Sequence, residues 1–151
     1  MTEDFVSFDL AKKLKEKGFN VPCIYAYCEK GGWNSYTQKH EPITYILRTD
    51  GNPFGAYYTG DNWNKAYKPN KNKIRCSAPT ISQVLKWLRD SNAIHIHICL
   101  YSKGWYCDVY TFEYYEEDKE YGVKHNVQFD EFSTYEEAAL AGIEYVLDIV
   151  I

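Results

Sequence analysis

The sequence predicts an α+β protein: a mostly antiparallel sheet with three helices, N-terminal, central and C-terminal, in a single layer on one sheet face. Three observations predict it. Capped segments with helical periodicity occur at three separated places, strict alternation of apolar and polar residues occurs between them, and the alternating runs are joined by short turn signals. A chain of 151 residues can bury one core without staples, so it reads as a single domain, 1–151.

Ser7 caps a first helix running from Phe8 to about Lys17, with Gly18 as its stop and Leu10, Ala11 and Leu14 as its inner face. Pro22 precedes a strand from Cys23 to Glu29. Gly31-Gly32 reads as a turn, and Trp33 to Gln38 as the returning strand. Ile43 to Thr49 is a third strand, ended by Asp50-Gly51-Asn52-Pro53, and Phe54 to Thr59 a fourth. Gly60 to Cys76 reads as a basic, Asn- and Pro-rich loop.

The stretch from Ala78 to Tyr115 organises the rest. Thr80 and Gln83 form a capping box, and Ile81, Val84, Leu85 and Leu88 then fall on one stripe with Trp87 at its edge. The helix is expected near 80–90, ended by Ser91-Asn92. The period then drops to two. Ile94, Ile96, Ile98 and Leu100 alternate with His95, His97, Cys99 and Tyr101. With Lys103-Gly104 as a two-residue loop, Ser102 pairs with Trp105, Ile98 with Val109, Leu100 with Cys107 and His97 with Tyr110. A three-residue loop would set Ile98 against Asp108 and mix the faces. The chosen register keeps one face aliphatic. The other holds His95, His97, Cys99, Tyr101, Tyr106, Asp108, Tyr110, Phe112 and Tyr114. Glu113 to Glu120 is an acidic connection. Gly122 to Phe129 is a further strand, with Val123, His125, Val127 and Phe129 on one face. Ser133 and Thr134, each three residues before a glutamate, cap a last helix over 134–149, lined by Tyr135, Ala139, Ile143, Val146 and Val150.

Composition excludes several classes. A net charge of −4 gives no general attraction to nucleic acid or anionic membrane, and no apolar run is long enough to span a bilayer. The acidic start, Met1-Thr2-Glu3-Asp4, is unlike a secretory signal. Five cysteines at irregular spacing are therefore expected as free thiols in a cytoplasmic protein.

DFVSFDLAKKLKEKGFNVPC, SAPTISQVLKWLRD and FSTYEEAALAGIEYVL, which together make roughly a third of the chain, resemble a family of small uncharacterised proteins of phages and prophages of gut anaerobic bacteria. These segments are caps and amphipathic faces. The resemblance implies a fold and an origin, and brings no catalytic residue.

Nucleophile-elbow, phosphate-loop and dinucleotide motifs are absent. His95-x-His97 with Cys99 and Asp108 has the chemistry of a transition-metal site, with Asp108 expected across from Cys99. A pair of imidazoles stacked on Tyr110 and Phe112 explains the same residues without a metal, and no metal or other cofactor is expected. His125, alone on an apolar face, reads as a hydrogen-bonded structural residue more than as an acid–base group. The function expected is a non-enzymatic phage or prophage accessory protein acting by protein contact or self-association, with His95, His97, Tyr101, Tyr106, Tyr110 and Phe112 as the binding residues. Fifteen tyrosines suit that role. The alternative is single-stranded nucleic-acid binding through the aromatic face and the basic loop 61–75, using Trp63, Lys65, Tyr67, Lys68, Lys71, Lys73 and Arg75. The second face is left with two fates, a second core layer or an open patch.

Overall fold

The computed structural model describes residues 4–48, 64 and 74–151. The expected turn at Asp50–Pro53, the expected strand Phe54–Thr59, and Trp63, Lys65, Tyr67, Lys68, Lys71 and Lys73 lie outside the described residues. The fold is mixed α+β, with three helices and two three-stranded antiparallel sheets among the described residues, where the sequence suggested one sheet. Contacts gather the chain into two compact units, Phe5–Pro79 and one built on Thr80–Ile151.

In the first unit, α1 (Phe8–Glu16) starts where Ser7 accepts a hydrogen bond from the Leu10 amide and buries Leu10, Ala11 and Leu14. It packs against β3 (Ile74–Ser77), a strand that overlaps the end of the expected loop Gly60 to Cys76. The sheet order is β2-β1-β3, with β1 at Ala26–Asn34 and β2 at Lys39–Arg48. The expected turn at Gly31-Gly32 is corrected: both glycines lie inside β1, so Trp33 continues that strand. The chain reverses beyond Asn34, whose side-chain oxygen accepts from the amides of Tyr36 and Thr37 at 2.9 and 3.2 Å. The glycines serve a bulge. Gly31, at φ +106, faces Pro42, whose carbonyl a Cβ there would strike. Proline has no amide to give a ladder, and a bulge on an edge strand tolerates that loss.

In the second unit, the capping box of α2 (Ile81–Asn92) forms in full: Thr80 accepts from the Gln83 amide, and Gln83 reaches back to the Thr80 amide. Ile81, Val84, Trp87 and Leu88 are buried. Leu85 is only half-buried, and the indole expected at the edge takes its place. Ala93, at φ +53, ends the helix and feeds β4 (Ile94–Tyr101), which pairs with β5 (Gly104–Tyr115), which pairs with β6 (Glu120–Phe132). The acidic connection is shorter than expected, a turn at 116–119. Thr134 caps α3 (Tyr135–Tyr145) by accepting from the Glu137 amide, while the Glu137 carboxylate takes the Ser133 amide. A π-helical turn, Val146–Val150, follows it.

The core of this unit lies under the aliphatic side of the sheet, where Ile94, Ile96, Cys107 and Val109 are buried. Small residues let α3 come close. A Cβ on Gly142 would lie 2.9 Å from the Ile96 side chain and 3.3 Å from the Cys107 sulfur. Ala138, Ala139, Ile143, Val146 and Leu147 fill the remaining space.

Candidate functional site: the aromatic side of the second sheet

The hairpin register differs from the expected one by two. Tyr101 pairs with Gly104 across a Ser102–Lys103 turn, Cys99 with Tyr106, His97 with Asp108 and His95 with Tyr110. Asp108 therefore lies across from His97 and not from Cys99. An even slip leaves every side chain on its expected side, because side chains alternate with period two. The reason for the slip is Gly104. It is needed in the strand, at φ +139, where a Cβ would come within 2.8 Å of the Phe132 carbonyl oxygen of β6.

His95, His97, Cys99 and Tyr101 form one row of the second side, and Tyr106, Asp108, Tyr110, Phe112 and Tyr114 the next. β6 supplies a third row. Gln128 opposes Asp108 and Asn126 opposes Tyr110. A bulge then brings Val123 opposite Phe112 and Tyr121 opposite Tyr114. The expectation that Val123 shares a side with His125 is thus corrected, because the extra residue in β6 inverts the parity. Tyr121 and Val123 were missed for the same reason, since parity counted along one strand cannot see a bulge. Asn126 and Gln128 were legible as the residues alternating with His125 and Val127.

No residue of this side is buried, and Tyr101 and Tyr121 are about two-thirds exposed at 67% and 71%. The rings pair across strands. Tyr101 and Tyr106 lie with centroids 5.0 Å apart, and Tyr114 and Tyr121 5.1 Å apart, both tilted. The His95 and His97 rings are near parallel at 6.3 Å. At the centre, the Tyr110 hydroxyl lies near the Asp108 carboxylate. Partial burial and that negative charge raise the Tyr110 phenol above its usual range. A hydrogen bond with Cys99, ahead of desolvation, pushes the Tyr106 phenol up to about 12.

The imidazole of His97 has its Nδ1 4.0 Å from Asp108 and its Nε2 3.1 Å from the Cys99 sulfur. The same sulfur is 3.7 Å from Nδ1. An atom close to both nitrogens cannot lie along the lone pair of either, so it rests against the ring. That arrangement does not prepare a thiolate–imidazole pair, which needs a directed hydrogen bond. Among the described residues, no group of three or more His, Cys, Asp or Glu side chains is disposed to hold a metal ion. The buried thiols Cys23, Cys76 and Cys107 are each pushed up to about 11 by desolvation, which suppresses the nucleophilic thiolate. None of the five cysteines forms a disulfide. His125 Nε2 and the Tyr145 hydroxyl share a hydrogen bond of 2.9 Å and the two rings stack, which ties β6 to α3.

Of the basic stretch, Arg75 is described. It lies on β3 in the first unit and forms an ion pair and hydrogen bond with Glu29. The paired strand residues of this side include Asp108 and no Lys or Arg, and Arg89 of α2 lines a hollow beside them with His95, Phe112 and Tyr121. Among the described residues no helix is long and apolar enough to cross a membrane. No protein-family model matches the chain, and neither the curated proteins nor the solved structures contain a significant match.

Proposed function

We propose that this chain is a non-enzymatic accessory protein that binds another protein through the aromatic side of β4-β5-β6. The observation that carries the reading is the contrast across one sheet: on the aliphatic side Ile94, Ile96, Cys107 and Val109 are buried, while none of His95, His97, Tyr101, Tyr106, Tyr110 and Phe112 is. Tyrosine rings bring large contact area with few rotors to freeze, and their hydroxyls stay satisfied in water until a partner arrives. An apolar-faced patch of this extent marks interaction surfaces. The candidate catalytic groups are otherwise engaged, three thiols by burial and His125 by Tyr145. Phage or prophage origin and a cytoplasmic location belong to the same proposal.

The test places a photoreactive phenylalanine analogue at position 110 or 112 of the full chain in expressing cells, with position 36 as an exposed control. Tyr36 is 98% exposed and lies outside this surface. A protease-sensitive adduct from 110 and 112 but not from 36 is expected. It should vanish in a Tyr101→Ala, Tyr106→Ala background that melts like the wild type. A nuclease-sensitive adduct, or none, would overturn the reading.

A further inference from the structure

Among the described residues, two three-stranded sheets present four edges, and three are guarded. An open edge offers unpaired amides and carbonyls to any passing strand, and proteins block it with bulges, prolines, charges or short strands. β2 carries Pro42 within a bulge, and β3 has four residues. β6 is bulged near both ends and bears Glu120, Lys124, Asp130 and Glu131. β4 has none of these devices. Its eight residues, Ile94 to Tyr101, pair with β5 without a register shift and include no proline, lysine, arginine or carboxylate. Among the described residues only β5 pairs with it.

The phase of the open groups follows from the turn. In an antiparallel ladder alternate residues exchange both backbone bonds with the neighbour, and the others point theirs away. Tyr101 and Gly104 close a two-residue turn and so form a bonded pair. His95, His97 and Cys99 share that phase. Ile94, Ile96, Ile98 and Leu100 therefore turn their amides and carbonyls outward.

We propose that β4 pairs antiparallel with β4 of a second copy, giving a two-fold dimer with a continuous six-stranded sheet. The strand complements itself. Any antiparallel register that brings outward residues together sets Ile or Leu against Ile or Leu on one side. On the other it sets His, Cys or Tyr against His, Cys or Tyr, and no carboxylate or ammonium faces its like. Leu100 supplies a second reason. It belongs to the aliphatic side yet is 64% exposed, while Ile94 and Ile96 on the same side are buried. Pairing brings Leu100 of each copy beside the covered half of its partner. Because the β6 edge is guarded, association closes at two copies instead of growing into a filament. The inference goes beyond the proposed protein contact and does not depend on it. The dimer would carry two aromatic surfaces on one continuous side.

The test is the mass of the full chain by sedimentation equilibrium from about 1 μM to about 1 mM, at a pH near 8 where histidines are neutral. Leu100→Lys, at an already exposed position, should weaken dimerisation about tenfold or more. Ile149→Lys, a similar change at an exposed position on the C-terminal turn, should leave it unchanged. Amide exchange provides an arm that needs no variant: the Ile96 and Ile98 amides should gain protection as concentration rises, and His97 should not. A chain that stays monomeric to about 1 mM overturns the proposal, as does a dimer in which the Ile96 and Ile98 amides gain no protection. Loss of the dimer in Tyr110→Ala, Phe112→Ala with Leu100→Lys unaffected would mean that copies meet through the aromatic surface. That outcome overturns edge pairing and leaves the contact reading of that surface standing.

Discussion

The two sides of the β4-β5-β6 sheet are made by the same strands, turns and alternation, yet one is core and the other faces out. Both are rich in large apolar groups. The aliphatic side carries mainly branched chains with no polar atom, its His125 finds a partner in Tyr145, and α3 meets it with Ala138, Ala139 and Gly142, so backbone and sheet approach closely. The other side carries rings tipped with hydroxyls and imidazole nitrogens around a carboxylate. Burying it would require a partner for each of those polar atoms. The difference teaches that hydrophobic content alone does not choose a core face. What chooses it is whether the polar atoms on that face can be left behind.

The sharpest way to break the comparison lies within β4. Ile94→Ala, at a residue 2% exposed, should cost about 2–5 kcal/mol through lost burial and a cavity. Tyr101→Ala, on the opposite side of the strand, should cost no more than about 1 kcal/mol, mainly the ring pair with Tyr106. Urea unfolding of both variants decides it, and equal losses would mean that both sides are core. A smaller effect sharpens the account of how α3 is seated. Gly142→Val should destabilise by about 1–3 kcal/mol, because its side chain would meet Ile96 and Cys107, whereas the neighbouring Ala141→Val should change little. Matching melting temperatures for the two would show that α3 does not approach through Gly142.

The smallest effect comes from pH. Desolvation first, then His97 and Arg89, holds His95 below the ordinary histidine range. A depressed folded value means that the unfolded chain binds the proton more tightly. Stability is therefore full above about pH 6.5 and falls as the pH drops through the folded value. Between about pH 7.5 and about pH 5, the wild type should lose more melting temperature than His95→Gln. An identical decline in both would place His95 in open water, without the desolvation that its partial burial gives.

Much of this was legible in the residues. The caps at Ser7, Thr80 and Thr134, the stop at Gly18, the bounds of β4 and the sorting of residues onto two sides of the hairpin were all readable, because each rests on groups within one turn or two strand positions. Several departures from the sequence expectation involve glycine or an extra residue. Gly31 and Gly104 look like turn makers along one strand, and each instead lets another strand come close, at Pro42 and at Phe132. A glycine reports that a side chain is unwelcome without saying whether the reason is a bend or a neighbour.

The sequence by itself determined the helices, their caps, the sheet class and the membership of each side of the central hairpin. Those depend on local hydrogen bonds and on a period that a two-residue slip preserves. Tertiary structure alone decided the hairpin register, the bulges that moved Val123 across the sheet, the division of the strands into two sheets, and which side of β4-β5-β6 became core. These are contacts between residues far apart in the chain. Their free energy depends on how closely backbones can approach and on which polar atoms find partners, and neither is written in the spacing of residues along one strand.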